Sequence, residues 1–156
     1  MNNSQISFIG AGNMATSLIH GLLAKGVPAN HIHATDIDSE KLTQLSADTG
    51  IETGATEDVA GVADVVVLAV KPQVMESVCQ TLKPLLKPDS LVISIAAGVT
   101  LASLARWLGD AQALVRCMPN TPSLVGCGAT ALVANDKCNE AQQTLAGQIL
   151  QAVGIA

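Results

Sequence analysis

Short apolar segments alternate with segments whose apolar residues recur at helical spacing, from one end of this chain to the other. Ile6-Ser7-Phe8-Ile9 reads as a strand running into Gly10. Asn13 to Ala24 then carries Met14, Leu18, Ile19, Leu22 and Leu23 at helical intervals, ended by Gly26 and Pro28. His31 to Asp36 reads as a second strand, and Ser39 to Thr49 as a helix stopped by Gly50. A short helix is expected over Thr56 to Val62. A strand apolar on both faces follows at Val65 to Val70, then a helix from Gln73 to Leu82 closed by Pro84. Leu91 to Ile95 is another buried strand, and Leu101 to Leu108 a helix ended by Gly109. Later strands are expected at Leu114 to Met118 and Ala129 to Val133, and a last helix at Asn139 to Val153. Strands buried on both faces need helices above and below them. The alternation therefore predicts an α/β fold, a doubly wound, mostly parallel sheet with helices on both faces.

Composition agrees and excludes other classes. Phe8 and Trp107 are the only aromatics, so the core must come from Ala, Val, Leu and Ile. That palette lets helices sit close to strands. It argues against the stacking platforms of RNA and single-strand readers. Eight Lys and Arg against 13 Asp and Glu give a net charge of −5 with no basic cluster, which argues against nucleic acid as a partner. No apolar run approaches the roughly 18–20 residues of a membrane span. Met1 to Gln5 has neither a basic region nor a cleavage site, so a cytoplasmic location is expected. Cys79, Cys117, Cys127 and Cys138 show no C-x-x-C or zinc-type spacing and are expected to be reduced, buried thiols.

The chemistry is concentrated after the first strand. Gly10-Ala11-Gly12-Asn13-Met14-Ala15 fits G-x-G-x-x-[GA] between a strand and a helix. Gly10 permits the tight turn, Gly12 has no side chain to block a pyrophosphate, and Ala15 lets the helix pack on the strand. The helix N-terminus then offers free N–H groups to phosphate. This points to a Rossmann-like dinucleotide site, and the lack of a Walker lysine excludes P-loop chemistry. Asp36 ends the second strand, 24 residues after Gly12. An acid there bonds ribose hydroxyls and favours NADH, while the alternative is that Asp36 caps a loop or the next helix. Ile37 adds no charge for a 2′-phosphate.

Three further segments complete a pattern: Ala69-Val70-Lys71-Pro72-Gln73, Ser94-Ile95-Ala96-Ala97-Gly98-Val99-Thr100, and Met118-Pro119-Asn120-Thr121-Pro122. With the glycine turn, and in this order, they make the chain resemble the N-terminal domain of pyrroline-5-carboxylate reductase over essentially all 156 residues. That family reduces 1-pyrroline-5-carboxylate to L-proline with NADPH or NADH. The resemblance implies that Ile9, Gly10, Ala11, Gly12, Asn13, Met14, Asp36 and Thr56 line the adenosine and pyrophosphate side of the cofactor. It implies that Ala69, Val70, Lys71, Pro72, Ile95, Ala96 and Ala97 line the nicotinamide side, with Asn120 and Thr121 at the rim facing substrate. Each has a plainer reading: Lys71 as a solvated strand-end charge, Asn120 as a turn former, Ala96 and Ala97 as packing residues.

Two positions depart from the family's usual pattern. Asp36-Ile37 stands where many relatives have a small polar residue followed by Arg or Pro, which leans towards NADH. Thr56 stands where relatives often have Asn. Family members continue into a helical dimerisation domain that holds most of the imine pocket, and Gly154-Ile155-Ala156 reads as the start of another strand. A longer, homo-oligomeric parent is therefore expected, with little turnover from these residues alone and an exposed apolar end near Ile149 to Ile155. No residue here is a convincing catalytic acid: His20 reads as packing or surface, and His31 and His33 as structural. No metal site is expected. The competing readings are another small-substrate dehydrogenase, of the β-hydroxyacid or deazaflavin-dependent type, and a non-catalytic dinucleotide sensor.

Overall fold

The computed structural model describes residues 3–118 and 131–153. Strands β1 (Ile6–Ile9), β2 (Ile32–Thr35), β3 (Glu52–Thr53), β4 (Val65–Leu68), β5 (Leu91–Ser94), β6 (Ala113–Met118) and β7 (Ala131–Ala134) form one sheet in the order β3-β2-β1-β4-β5-β6-β7. All neighbours are parallel except β6 and β7, which are antiparallel. The helices are α1 (Asn13–Ala24), α2 (Ser39–Thr49), α3 (Thr56–Gly61), α4 (Pro72–Leu82), α5 (Leu101–Leu108) and α6 (Glu140–Leu150). The expected doubly wound, mostly parallel architecture is what the chain adopts.

Strand alternation sorts the core into two layers. Ile6, Phe8, Val65, Val67, Leu91 and Ile93 pack against α1, α2 and α6, through Leu18, Ile19, Leu22, Leu45 and Ile149. Val66, Leu68, Val92 and Leu114 pack against α3, α4 and α5, through Val59, Met75, Cys79, Leu82 and Leu104.

Local chemistry sets the helix ends. The Asp38 carboxylate accepts from the N–H groups of Glu40 and Lys41 and starts α2, which Gly50 closes. Asn139 and Gln142 form a reciprocal capping box at α6. Pro72 opens α4, where its missing N–H costs nothing.

Several boundaries differ from the sequence reading. His31 closes a 3₁₀ turn, Ala29–His31, and precedes β2. β3 has only two residues, too few to show a periodicity, and escaped detection. α6 ends at Leu150 and passes into a 3₁₀ turn, Gln151–Val153. The apolar end expected near Ile149 to Ile155 is not exposed where it is described: Ile149, Leu150 and Ala152 are buried. The cause is close packing on α1, where a Cβ on Gly21 would run into the Ala152 carbonyl oxygen. The thiol expectation holds for Cys79 and Cys138, which are free and buried. Cys117 is instead disulfide-bonded. Pairing depends on which sulfurs the fold brings together, and sequence spacing does not report that.

Candidate dinucleotide site

The carboxyl ends of β1, β4 and β5 open side by side. At β1, the Gly10 N–H donates to the Thr35 carbonyl at 2.9 Å, and the Ala69 N–H donates to the Ile9 carbonyl at 2.9 Å. Gly10 has φ +104°, and a Cβ there would lie 2.7 Å from the Ala69 carbonyl oxygen. Both facts demand glycine: the backbone is left-handed, and the β4 exit presses against it. Ala15 is buried in the first turn of α1, where a larger side chain would push the helix off the sheet.

Gly12 is different. Its φ is −76°, and a Cβ there would meet nothing within 4 Å. The space over Gly12 is open. Gly12 is also the N-cap of α1, with no side-chain cap and no acidic residue in the first turn. The helix dipole and the free N–H groups therefore face an open approach, which suits a pyrophosphate. The residues present fit a dinucleotide at this point.

Asp36 lies just beyond β2. Its Oδ2 accepts from the Ala11 N–H at 2.7 Å, and its Oδ1 accepts from the Asp38 N–H at 2.9 Å. Each oxygen keeps a further lone pair for an outside hydroxyl. Ile37 beside it is fully exposed. Thr56 begins α3, after the short β3.

On the other side, Ala69 and Val70 leave β4, Lys71 is the exposed N-cap of α4, and Pro72 is its first residue. The Ile95 N–H donates to the Leu68 carbonyl at 3.2 Å, which holds the exit of β5 beside that of β4. Ala96 is buried, with its N–H 3.3 Å from the Ser94 hydroxyl oxygen, while Ala97 is exposed. Asn120 and Thr121 lie outside the described residues.

Sequence reading passed over Arg116. It pairs with Ser94 across β5 and β6, and its guanidinium Nε is buried with no hydrogen-bond partner. The available signal was a lone charge inside the apolar run Leu114 to Met118. The two free thiols among the described residues are not nucleophilic: burial pushes Cys79 up to about 12 and raises Cys138, so both stay protonated at neutral pH. Among the described residues no cluster of three metal-ligating side chains forms, and no helix is long and apolar enough to cross a membrane.

Residues 5–98 match the family model described as NADP oxidoreductase, coenzyme F420-dependent. The chain belongs to that family. The family match stops before β6, whereas individual relatives match from end to end. A pyrroline-5-carboxylate reductase of Pseudomonas aeruginosa is 52% identical over 100% of the chain and 58% of the relative. The structure of a pyrroline-5-carboxylate reductase from Coxiella burnetii has a TM-score of 0.88 at 42% identity, covering 99% of this chain and 58% of that one. A Plasmodium falciparum pyrroline carboxylate reductase with NADP bound has a TM-score of 0.81 at 27% identity, covering 99% and 57%. This member of the family thus spans less than two thirds of the relatives it matches. The resemblance drawn from its motifs is borne out along its whole length.

Proposed function

We propose that this chain is the cofactor-binding domain of a pyrroline-5-carboxylate reductase of the cytoplasm. Residues 1–156 form the N-terminal domain, and a helical domain beyond them completes the imine pocket and joins subunits into a homo-oligomer. The observation that carries this reading is the side-by-side opening of three strand ends, at Gly10–Gly12, Ala69–Pro72 and Ile95–Ala97. In a doubly wound sheet that edge is where ligands sit.

Bound NADH or NADPH supplies the hydride that reduces the cyclic C=N of 1-pyrroline-5-carboxylate to L-proline. The chain's own residues bind and orient. Ile9 to Met14 receive the pyrophosphate on the first turn of α1. Asp36 and Thr56 face the adenosine ribose, and the acid at 36 leans the choice towards NADH. Ala69, Val70, Lys71, Pro72, Ile95, Ala96 and Ala97 form the bed of the nicotinamide, where the small bulk of the three alanines lets the ring lie close. Asn120 and Thr121 face the substrate, and Arg116 brings a positive charge to the same edge.

Calorimetric titration of the chain with NADH and NADPH tests the binding half of the proposal. Saturable binding of at least one is expected, and binding of neither would overturn it. Turnover of 1-pyrroline-5-carboxylate by the full-length protein, and not by residues 1–156 alone, tests the rest.

A further inference from the structure

We infer that Asp36 is a positioning residue that clasps the glycine turn shut before any dinucleotide arrives, so that the affinity for NADH and for NADPH depends on it alike. The inference rests on the dinucleotide reading above and goes beyond the ribose contact that an acid at this position implies.

The geometry is specific. The left-handed backbone at Gly10 turns the next peptide back towards β2, and the Ala11 N–H meets Asp36 Oδ2 at 2.7 Å. Ala11 is only 5% exposed. Without the carboxylate its N–H would be a buried donor with no acceptor, a costly state. The other oxygen takes the Asp38 N–H at 2.9 Å, and the Asp38 side chain in turn caps α2. One carboxylate therefore joins the β1–α1 turn to the β2–α2 turn. The second tie between them, Gly10 N–H to the Thr35 carbonyl, lies directly beside it.

This arrangement ties cofactor choice to loop order. A small neutral residue at position 36 would clear room for a 2′-phosphate in many sheets of this kind. Here the same replacement removes the acceptor of two backbone N–H groups. A change intended to favour NADPH would loosen the pyrophosphate turn that both cofactors share.

The test uses amide hydrogen exchange, read residue by residue by NMR on the 156-residue chain without ligand, together with calorimetric titration. Asp36→Ala is expected to speed exchange of the Ala11 amide about tenfold or more, with β1 and β2 amides unchanged, and to weaken NADH and NADPH by about tenfold each. Asp36→Asn keeps one acceptor oxygen and is expected to fall between; it replaces the Ala variant if that variant does not fold. Unchanged Ala11 protection in a folded variant overturns the clasp. So does a loss of NADH binding alone with a gain in NADPH, which would assign Asp36 to the ribose only. If the unaltered chain binds neither cofactor but Ala11 still loses protection in Asp36→Ala, the clasp stands and the dinucleotide reading fails.

Discussion

The two ends of the sheet are built differently. At the amino end, polar groups satisfy one another. The Asp64 carboxylate accepts from the Gln5 N–H and pairs with Lys87 at 2.8 Å. Burial alone would raise the Asp64 pKa, but the Gln5 N–H and Lys87 outweigh it and hold it below the ordinary carboxylate value. Further along, Asn135 accepts from the Leu114 N–H and donates to the Gln112 carbonyl, and the Cys138 thiol donates to the Leu114 carbonyl. At the carboxyl end β1 and β4 run into Gly10 and Ala69, the first turn of α1 is uncapped, and Arg116 Nε is buried without a partner. Parallel strands point their free carbonyls and their following turns the same way. One end can therefore be closed by side chains, while the other is left for a ligand. Side chains do satisfy backbone groups within single turns at the open end, as Asp38 does at α2, but Asp36 ties two different turns together there.

The contrast can be broken most sharply at its tightest contact. Gly21→Ala forces a methyl into the Ala152 carbonyl, and neither side of that contact is a flexible side chain. A loss of about 2–3 kcal/mol is expected, even after the gain in helix propensity. A denaturation midpoint equal to that of the unaltered chain would mean that the C-terminal turn does not rest on α1.

At the open end, two glycines two residues apart should behave oppositely. Gly10→Ala meets both the left-handed backbone and the Ala69 carbonyl, and is expected to cost about 2 kcal/mol of stability. Gly12→Ala meets no neighbour and should cost only about 0.5–1 kcal/mol, the preference for Gly over Ala at an N-cap. It should nonetheless abolish dinucleotide binding, because its methyl occupies the open approach. Parallel melts and titrations of the two variants decide this. Equal losses of stability would show that the difference between the two sites is not real.

At the closed end, Asn135→Ala strips the Leu114 N–H and the Gln112 carbonyl of their partner. A cost of about 1–2 kcal/mol is expected in urea unfolding, with cofactor affinity unchanged. Reduced affinity would show that the two ends are coupled through β6.

The smallest effect is a pH slope. Burial lowers the His33 pKa, Glu52 opposing and His31 adding to the shift, and His33 Nε2 lies 2.7 Å from Gln5 Oε1. The unfolded chain then binds a proton at this residue more readily than the folded one. The stability from His33 is complete above the ordinary value of 6.5 and is lost as pH falls from there through the lower folded value. His33→Gln should flatten that part of the profile. Identical slopes in urea titrations of the two proteins between about pH 7.5 and 5 would remove His33 from this role.

Much of the fold was legible because its signals are local. Period-3.6 spacing placed α1 and α2 to the residue, and continuous apolar runs placed β4 and β5 within two residues. β3 was not legible, since two exposed residues carry no pattern. The glycine turn could be read because steric rules at Gly10 and Ala15 act on single residues. Asp36 was recognised as important, but its bonds to Ala11 and Asp38 require β1 and β2 to lie side by side.

The sequence by itself determined the alternation of strand and helix, the apolar palette of the two core layers, and the position of the glycine turn. Each follows from residue size, polarity and allowed backbone angles over a few neighbouring positions. Only the tertiary structure decided that Gly21 touches Ala152, that Arg116 Nε has no partner, and that one carboxylate holds two turns together. Those facts depend on contacts between residues far apart in the chain, such as Ala11 with Asp36 and Gly21 with Ala152, or on what the fold leaves unpaired, and no local rule reports them.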